Sequence, residues 1–316
     1  MRRLGLVLAT MALAILLAGG VAQAIINGQP DRGPKAHPYV GAYVAKVEGK
    51  LRPVCSGTLI SPRVFLTAGH CTQFEIERDR SAYVSFDPTY KPGASELTKG
   101  TPYIHPKACL AAKEGCAPVP ISGEAVGHPR YDVGVVVLKE PIRMATYGTL
   151  PEAGLVDTLK EGQRLTTVGY GVNRFEIDGE PPLQPQPVVR DVRYRAKVRL
   201  LDTKDPAVGE MFVKTTGVSL IKGKGEGSCF GDSGGPLFVP DQRTIVGVTS
   251  LGTPAWGVWF ACAVPPPNST NTVPPSFVVG NVPRFIRLRT APSVMPSDAA
   301  AWATVRRLWF ACGSPE

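Results

Sequence analysis

Three short segments carry side chains that together could perform nucleophilic catalysis. In chain order they are Thr67–Cys71 (TAGHC), Tyr131–Leu138 (YDVGVVVL) and Gly231–Pro236 (GDSGGP). They contribute a histidine, an aspartate and a serine, which are His70, Asp132 and Ser233. These side-chain types activate an alcohol for attack on a carbonyl carbon, so the segments point to acyl-transfer hydrolysis.

Each group has its own chemical task. A serine hydroxyl is a poor nucleophile until a base takes its proton, and the imidazole of His70 suits that task. The carboxylate of Asp132 would accept from the other ring nitrogen, which fixes the tautomer and stabilises the imidazolium. Backbone N–H groups in a glycine-rich turn can closely approach a developing oxyanion. We therefore predict that Gly231 and Ser233 form an oxyanion hole.

Asp132 is the least constrained of the three residues. Other aspartates also lie between the histidine and the serine in sequence, among them Asp191, Asp202 and Asp205. Asp132 is favoured because Val133–Leu138 is nearly continuous in apolar residues, and such a strand would hold a carboxylate buried at its start. The alternative is an aspartate that only opens a buried strand.

The N-terminal segment has the pattern of a secretory leader. Met1–Arg3 is basic, Leu4–Val21 is almost wholly apolar, and Ala22–Ala24 supplies the small residues of a cleavage site. Cleavage would give a secreted, extracellular chain that begins at Ile25, with no later stretch able to hold it stably in a membrane. The alternative is an uncleaved membrane anchor.

The composition excludes several classes of function. The 316 residues include 35 Lys+Arg and 26 Asp+Glu, giving a net charge of +9, and 43% are apolar, which is enough for a buried core. Basic residues do not cluster with aromatic ones, so no nucleic-acid partner is predicted. The four histidines are scattered and no Cys-x-x-Cys occurs, so no metal site is predicted. Glu75, Glu77 and Asp79 are expected in a solvated loop rather than a calcium site.

The pattern of the chain favours an all-β fold. Short β-rich runs are separated by glycine and proline, as in barrels or sandwiches. Helical periodicity is scarce before Ala299–Phe310, and a soft domain boundary falls within Lys139–Gly162. The predicted long loops are Asp87–Gly127, Asp178–Pro187 and Pro265–Pro275. The predicted strands are Tyr39–Val47, Gly57–Ile60, Val64–Thr67, Val133–Leu138, Arg164–Gly169, Val188–Leu200, Ile245–Ser250 and Ser276–Val279.

With its histidine, aspartate and serine in this order, the chain resembles the chymotrypsin/trypsin family of serine proteases. Gly69 departs from that family, in which alanine is usual. Further segments that resemble the family are Cys55–Ile60, Gly169–Gly171, Ser250–Gly252 and Val282–Leu288. The resemblance implies two six-stranded antiparallel Greek-key β-barrels packed together, followed by a C-terminal α-helix. The implied division is a signal peptide (1–24), a first barrel (25–145), a second barrel (146–290) and a helix with a tail (291–316).

The resemblance also assigns most of the seven cysteines. It implies a Cys55–Cys71 bond beside the histidine and a Cys229–Cys262 bond across the rim of the primary specificity pocket. Cys109 and Cys116, separated by six residues, are predicted to close a local loop. Cys312 is then either free or a competitor for one of the loop cysteines, because an odd number cannot pair fully within one chain.

In the family, a newly released N-terminal amine pairs with the aspartate before the catalytic serine. Here that implies an ion pair between Ile25 and Asp232 once the leader is removed. Export alone would then mature the enzyme, without a separate propeptide step. The alternative is a disordered terminus.

The resemblance places the floor of the specificity pocket at Gly227, where trypsin-like enzymes carry aspartate. Gly227 provides no charge, so an uncharged pocket and an apolar residue before the scissile bond are predicted. The alternative is that the side chain of Glu226 reaches into the pocket and gives it a charge. The other predicted substrate-binding residues are Ser228, Ser250, Leu251 and Gly252, with the last wall formed by Ser276 or Phe277.

The sequence therefore predicts a secreted serine endopeptidase that works through an acyl-enzyme and needs no cofactor. The implied partners are protein or peptide substrates, and a protein inhibitor is a further candidate. The competing hypothesis is a catalytically silent homologue that uses the same scaffold as a binding module. An esterase is disfavoured, because the serine context differs from the Gly-x-Ser-x-Gly elbow.

Overall fold

The computed structural model describes residues 25, 27–78, 80–106, 108, 119–120, 127–128, 131–178, 184–189, 191–203, 212–217, 225–253 and 258–263. Strands dominate these residues, and α1 (Gly69–Glu77) is the only α-helix among them. Two short 3-10 turns occupy Gly33–Lys35 and Val156–Thr158. The strands are β1 (Gln29–Pro30), β2 (Val40–Val47), β3 (Lys50–Ser61), β4 (Val64–Thr67), β5 (Ala82–Ser85), β6 (Thr98–Ile104), β7 (Val119–Pro120), β8 (Gly127–His128), β9 (Gly134–Leu138), β10 (Arg164–Gly169), β11 (Val172–Asp178), β12 (Gln184–Val189), β13 (Tyr194–Asp202), β14 (Phe212–Thr216), β15 (Pro236–Phe238), β16 (Ile245–Thr253) and β17 (Val258–Ala263).

Six strands close into the first barrel, in the order β2-β3-β4-β9-β6-β5. All four residues of β4 and all five of β9 are buried, which agrees with sequences that are apolar except for Thr67. The core is filled by large side chains that include Tyr43, Leu59, Phe65 and Leu66. Burial of such side chains is the main favourable term in folding.

A second sheet of seven strands follows, in the order β1-β13-β10-β15-β16-β17-β14. An additional pairing joins β13 to β14, so six of these strands form a closed circuit and β1 adds to its outside. Its main apolar cluster includes Leu165, Val198, Leu200 and Leu237. The all-β prediction is confirmed. The C-terminal helix predicted at Ala299–Phe310 lies outside the described residues, and so do the strand Ser276–Val279 and the loop Pro265–Pro275.

Two predicted loops are partly wrong. The segment Asp87–Gly127 contains β6, which pairs with both β5 and β9 inside the barrel. Of Asp178–Pro187, the described residues are Asp178, which ends β11, and Gln184–Pro187, which belong to β12, and these two strands pair antiparallel. In both cases pairing with a neighbouring strand outweighs weak local propensity, because strand preference depends strongly on tertiary context.

A buried polar cluster joins the N-terminal arm and the first barrel to the second sheet. Asp31 has no exposed surface and accepts from His37 Nδ1 at 2.8 Å and from Arg193 Nε at 2.8 Å. Arg193 also donates to the backbone oxygens of Val40 and Phe86 in the first half of the chain. Buried charges persist when they are paired and hydrogen-bonded in this way. No helix among the described residues has the length and apolar character needed to cross a membrane.

Candidate active site

Strand pairing brings His70 and Asp132 together. β4 and β9 pair antiparallel, with Thr67 opposite Gly134. The residues just after β4 and just before β9 therefore lie at the same edge of the barrel. His70 Nδ1 lies 2.8 Å from Asp132 Oδ2, and the His70 backbone N–H donates to Oδ1 at 2.8 Å.

Asp132 is fully buried, and a third residue contacts it. Ser250 Oγ donates to Asp132 Oδ2 at 2.6 Å, from the second sheet. Burial raises the pKa of Asp132, but the charge of His70 and the hydrogen bonds outweigh burial and hold that pKa below its ordinary value. The carboxylate is therefore kept ionised beside the imidazole.

The contact with Asp132 also determines the orientation and the pKa of His70. Its side chain is 35% exposed, so the ring is held on one side and open to solvent on the other. Burial lowers the pKa of the imidazole, but the charge and hydrogen bond of Asp132 outweigh it, so the pKa lies above its ordinary value. An imidazole held in this manner is arranged to accept a proton at Nε2.

The turn that carries Ser233 packs against the strand end leading to His70. Gly234 has a φ of +82°, and a Cβ built on it would lie 2.8 Å from Ala68 N. Only glycine combines that conformation with so close an approach. The turn is further fixed by hydrogen bonds from Gly234 N to Thr249 O at 2.7 Å and from Ser56 N to Ser233 O at 2.7 Å.

The structure brings these segments together without forming every predicted contact. Among the described residues, Ser233 Oγ makes no hydrogen bond with His70 Nε2. That nitrogen lies 3.7 Å from Cys71 Sγ instead. Hydrogen bonds of this kind are often long in enzymes without substrate and tighten when it binds.

The amides of Gly231 and Ser233 have no acceptor within the described part of the chain. The carbonyl on the other side of each peptide unit is fixed. Phe230 O accepts from Val172 N at 2.7 Å, and Asp232 O accepts from Gly235 N at 2.8 Å. Since a trans peptide is planar, a fixed C=O directs its N–H the opposite way. The predicted oxyanion donors are thus oriented and unused.

Asp232 is a buried carboxylate without a cationic partner among the described residues. Its two oxygens accept from Gly171 N and Cys229 N, each at 2.8 Å. Burial raises the pKa of Asp232 to about 7, against the lowering effect of these two hydrogen bonds. Ile25 is also fully buried, but it packs in a separate small cluster with Tyr194 and Ala196. The Ile25–Asp232 ion pair stays a prediction for the cleaved chain.

The Cys55–Cys71 disulfide is confirmed, with an S–S distance of 2.02 Å and a Cα–Cα distance of 6.2 Å. It ties β3 to the helix that carries His70. Although Cys55, His70 and Cys71 lie close enough to suggest a metal site, both sulfurs are oxidised and offer no thiolate. The Cys109–Cys116 pair and Cys312 lie outside the described residues.

The Cys229–Cys262 bond is not formed, which corrects the sequence prediction. Cys229 is a free, buried thiol, and burial together with the charge of Asp232 raises its pKa to about 12. Cys262 lies inside β17, where Phe212 and Val248 are its pairing partners on either side. The backbone of Cys262 is therefore fixed in the sheet rather than in a loop at a pocket rim.

The predicted pocket residues that the structure describes lie in the segment before Ser233 and in β16. Gly227 has a φ of +152°, and a Cβ on it would lie 3.0 Å from Gly217 Cα. Ser228 is buried, with Oγ 2.9 Å from Thr167 Oγ1. Ser250, Leu251 and Gly252 belong to β16. Ser276 and Phe277 lie outside the described residues, so the shape of the pocket stays a prediction.

Two contacts were missed by sequence reasoning. Ser250 was assigned to substrate binding alone, yet its hydroxyl holds Asp132 from 118 residues away in the chain. Glu75 was expected in a solvated loop but lies in α1 with 3% exposure, where Tyr43 Oη donates to it at 3.0 Å. No local pattern signals either contact.

Comparison with known proteins agrees with this geometry. A model of the trypsin family matches residues 25–267. The chain belongs to the trypsin family. Its relatives include a chymotrypsin of Phaedon cochleariae, 28% identical over 72% of this chain and 73% of that protein. The cercarial protease of Schistosoma mansoni is 23% identical over 72% of this chain and 80% of that protein. The human chymotrypsin-like elastase family member 3B is 25% identical over 72% of this chain and 78% of that protein.

Solved structures show the same fold for this trypsin-family chain. The structure of HL collagenase matches with a TM-score of 0.52 and 18% identity, covering 76% of this chain and 94% of the other. Neuropsin from mouse brain matches with a TM-score of 0.50 and 20% identity, covering 75% and 95%. The chymotrypsin-like arrangement of a closed six-stranded barrel beside a second sheet is thereby confirmed.

Proposed function

We propose that this trypsin-family chain is a secreted serine endopeptidase. One observation carries the proposal: a partly exposed imidazole is held by a fully buried carboxylate at 2.8 Å, on the edge against which the Ser233 turn packs. An imidazole held in this way can act as the general base for a neighbouring alcohol. The relatives named as chymotrypsin, elastase and protease support peptide-bond hydrolysis.

In the proposed reaction, His70 Nε2 takes the proton of Ser233 as Oγ attacks the substrate carbonyl. The amides of Gly231 and Ser233 receive the oxyanion, because their peptide units are fixed and they have no acceptor among the described residues. The imidazolium then protonates the leaving amine, and water hydrolyses the resulting acyl-enzyme by the same steps. Asp132 stays ionised throughout, held by Ser250.

We extend the proposal to specificity and maturation. Gly227 offers no charge at the expected pocket floor, which supports an apolar residue before the scissile bond. Removal of residues 1–24 would free the amine of Ile25. Each oxygen of the buried Asp232 carboxylate accepts one backbone hydrogen bond and could accept another from an ammonium group. The leader sequence supports release from the cell.

Covalent labelling tests the proposal directly. The chain that begins at Ile25 should react with a fluorophosphonate at Ser233, whereas the Ser233→Ala variant should not. A library of peptides should be cleaved after uncharged residues. A chain that folds, starts at Ile25 and yet neither labels nor cleaves would instead be the silent binding homologue.

A further inference from the structure

One buried serine links the first barrel to the turn that carries Ser233. Ser56 lies in β3 and has no exposed surface. Its N–H donates to Ser233 O at 2.7 Å, and its Oγ donates to Gly231 O at 3.0 Å. The same Oγ accepts from Tyr170 N at 2.9 Å, while Ser56 O accepts from Thr67 Oγ1 at 2.7 Å. Both the donor and the acceptor capacity of the hydroxyl are therefore used.

The position of the Gly231 carbonyl explains why this contact matters. Gly231 has a φ of +89° and little intrinsic restriction on its backbone. The peptide unit that joins it to Asp232 lies between the two predicted oxyanion donors in the chain. Fixing that unit therefore fixes the relative orientation of the Gly231 and Ser233 amides.

The four carbonyls of residues 230–233 are all hydrogen-bonded, and Ser56 holds two of them. Those of Phe230 and Asp232 accept from backbone amides, as described above. The Gly231 carbonyl, by contrast, accepts from a side chain, the hydroxyl of Ser56. A point substitution of Ser56 can therefore remove this carbonyl contact without changing the backbone.

We infer that Ser56 is a positioning residue of the active site: its hydroxyl holds the Gly231 carbonyl and thereby aligns the two oxyanion donors. The inference rests on the proposed function, because it concerns the alignment of the same site. Ser56 does not touch the substrate, and its effect passes through the backbone of the turn.

Ser56→Ala tests the inference in the chain that begins at Ile25. The substitution removes the hydroxyl, leaves the Tyr170 N–H without its acceptor, and allows the Gly231 peptide to rotate. We expect kcat to fall about 10- to 100-fold, less than the roughly 100- to 1,000-fold loss that follows removal of a whole oxyanion donor. KM should stay within about twofold, since only a contact made in the transition state is weakened. Affinity for a peptide boronate, which forms a tetrahedral adduct, should fall in parallel with kcat.

Ser85→Ala is the matched control. Ser85 is a buried serine of the same barrel, and among the described residues its Oγ accepts a single long hydrogen bond, from Asp87 N at 3.4 Å. Both variants lose one buried hydroxyl, but only Ser56→Ala should change kcat. Rates are divided by the concentration of sites titrated with fluorophosphonate, so that a partly unfolded sample does not count as a slow enzyme.

Two results would overturn the inference: a kcat per titrated site within twofold of the parent, or an equal loss in Ser85→Ala. A second measurement works even if the parent chain has no activity. The Asp232 amide belongs to the peptide unit that Ser56 holds and donates to Cys229 O at 3.0 Å. Its hydrogen exchange should become at least tenfold faster in Ser56→Ala and stay unchanged in Ser85→Ala. Unchanged exchange would reject the positioning role, whereas absence of labelling in the parent would reject the proposed function alone.

Discussion

The buried carboxylate of Asp232 makes a measurable prediction about pH and maturation. Before the chain is cut at Ile25, this group has two amide donors and no cation among the described residues, and its pKa is raised to about 7 from 3.8. A carboxylic acid whose pKa is higher in the folded state binds its proton more tightly there than when unfolded. Its contribution to the free energy of unfolding is therefore greatest near pH 4 and is lost as the pH rises to 7.

The size of this loss follows from the shift. A difference of about 3 pKa units corresponds to roughly 4 kcal/mol, at about 1.4 kcal/mol for each unit. Between pH 5 and pH 7 the uncut chain should thus lose about 2 kcal/mol of stability from this one group. In a chain that begins at Ile25, the new ammonium would pair with Asp232 and depress its pKa, so this loss should disappear.

Urea unfolding followed by tryptophan fluorescence measures the difference. Two chains are compared at pH 5, 6 and 7, one beginning at Ile25 and one with two extra residues before it, both carrying Ser233→Ala to prevent self-cleavage. Other titrating groups are common to both chains, so the difference between them isolates Asp232. Asp232→Asn in the extended chain is the control and should remove the excess pH dependence of that chain over the chain that begins at Ile25. Equal pH dependence in the two parent chains would refute the reasoning.

Three further predictions concern the catalytic groups and the disulfide. Ser233→Ala should lower turnover about 10⁴- to 10⁶-fold while peptide binding, measured by calorimetry, stays within about threefold; a smaller loss would mean that another group supplies the nucleophile. Activity of the parent should be lost as the pH falls through the pKa of His70, which lies above its ordinary value because of Asp132. Asp132→Asn should lower kcat about 10⁴-fold. A pH–rate profile whose acid limb does not move in that variant would contradict the pairing of His70 with Asp132. Replacing Cys55 and Cys71 by alanine opens a crosslink between residues 16 apart and should reduce the free energy of unfolding by about 3 kcal/mol, which denaturant titration of the double variant against the parent would check.

The sequence identifies the parts of the site that are local and misses those that depend on tertiary pairing. His70 and Asp132 stand out because each lies at the end of an apolar strand, and the pairing of those strands brings them together. Ser250 meets Asp132 only through the packing of the second sheet on the barrel, which no window of sequence contains. The burial of Glu75 depends likewise on a hydroxyl from β2.

Cys229 shows that a contact expected from the sequence can also fail to form. The family resemblance implies that Cys229 pairs with Cys262, but a resemblance in sequence does not determine where the partner strand is held. The two predicted loops that contain strands have the same cause. Segments such as β6 have modest strand propensity and acquire their structure from the neighbours on either side.

The polar cluster at Asp31 limits how far the N-terminus of a chain that begins at Ile25 could move. The arm is fastened at Asp31, and the first paired residue before it is Gln29, opposite Arg195. Only four peptide steps separate Gln29 from Ile25, so a freed amine can travel no farther than about 14 Å from that point. If the leader is removed, these contacts would therefore confine the amine of Ile25 to a small volume beside the second sheet.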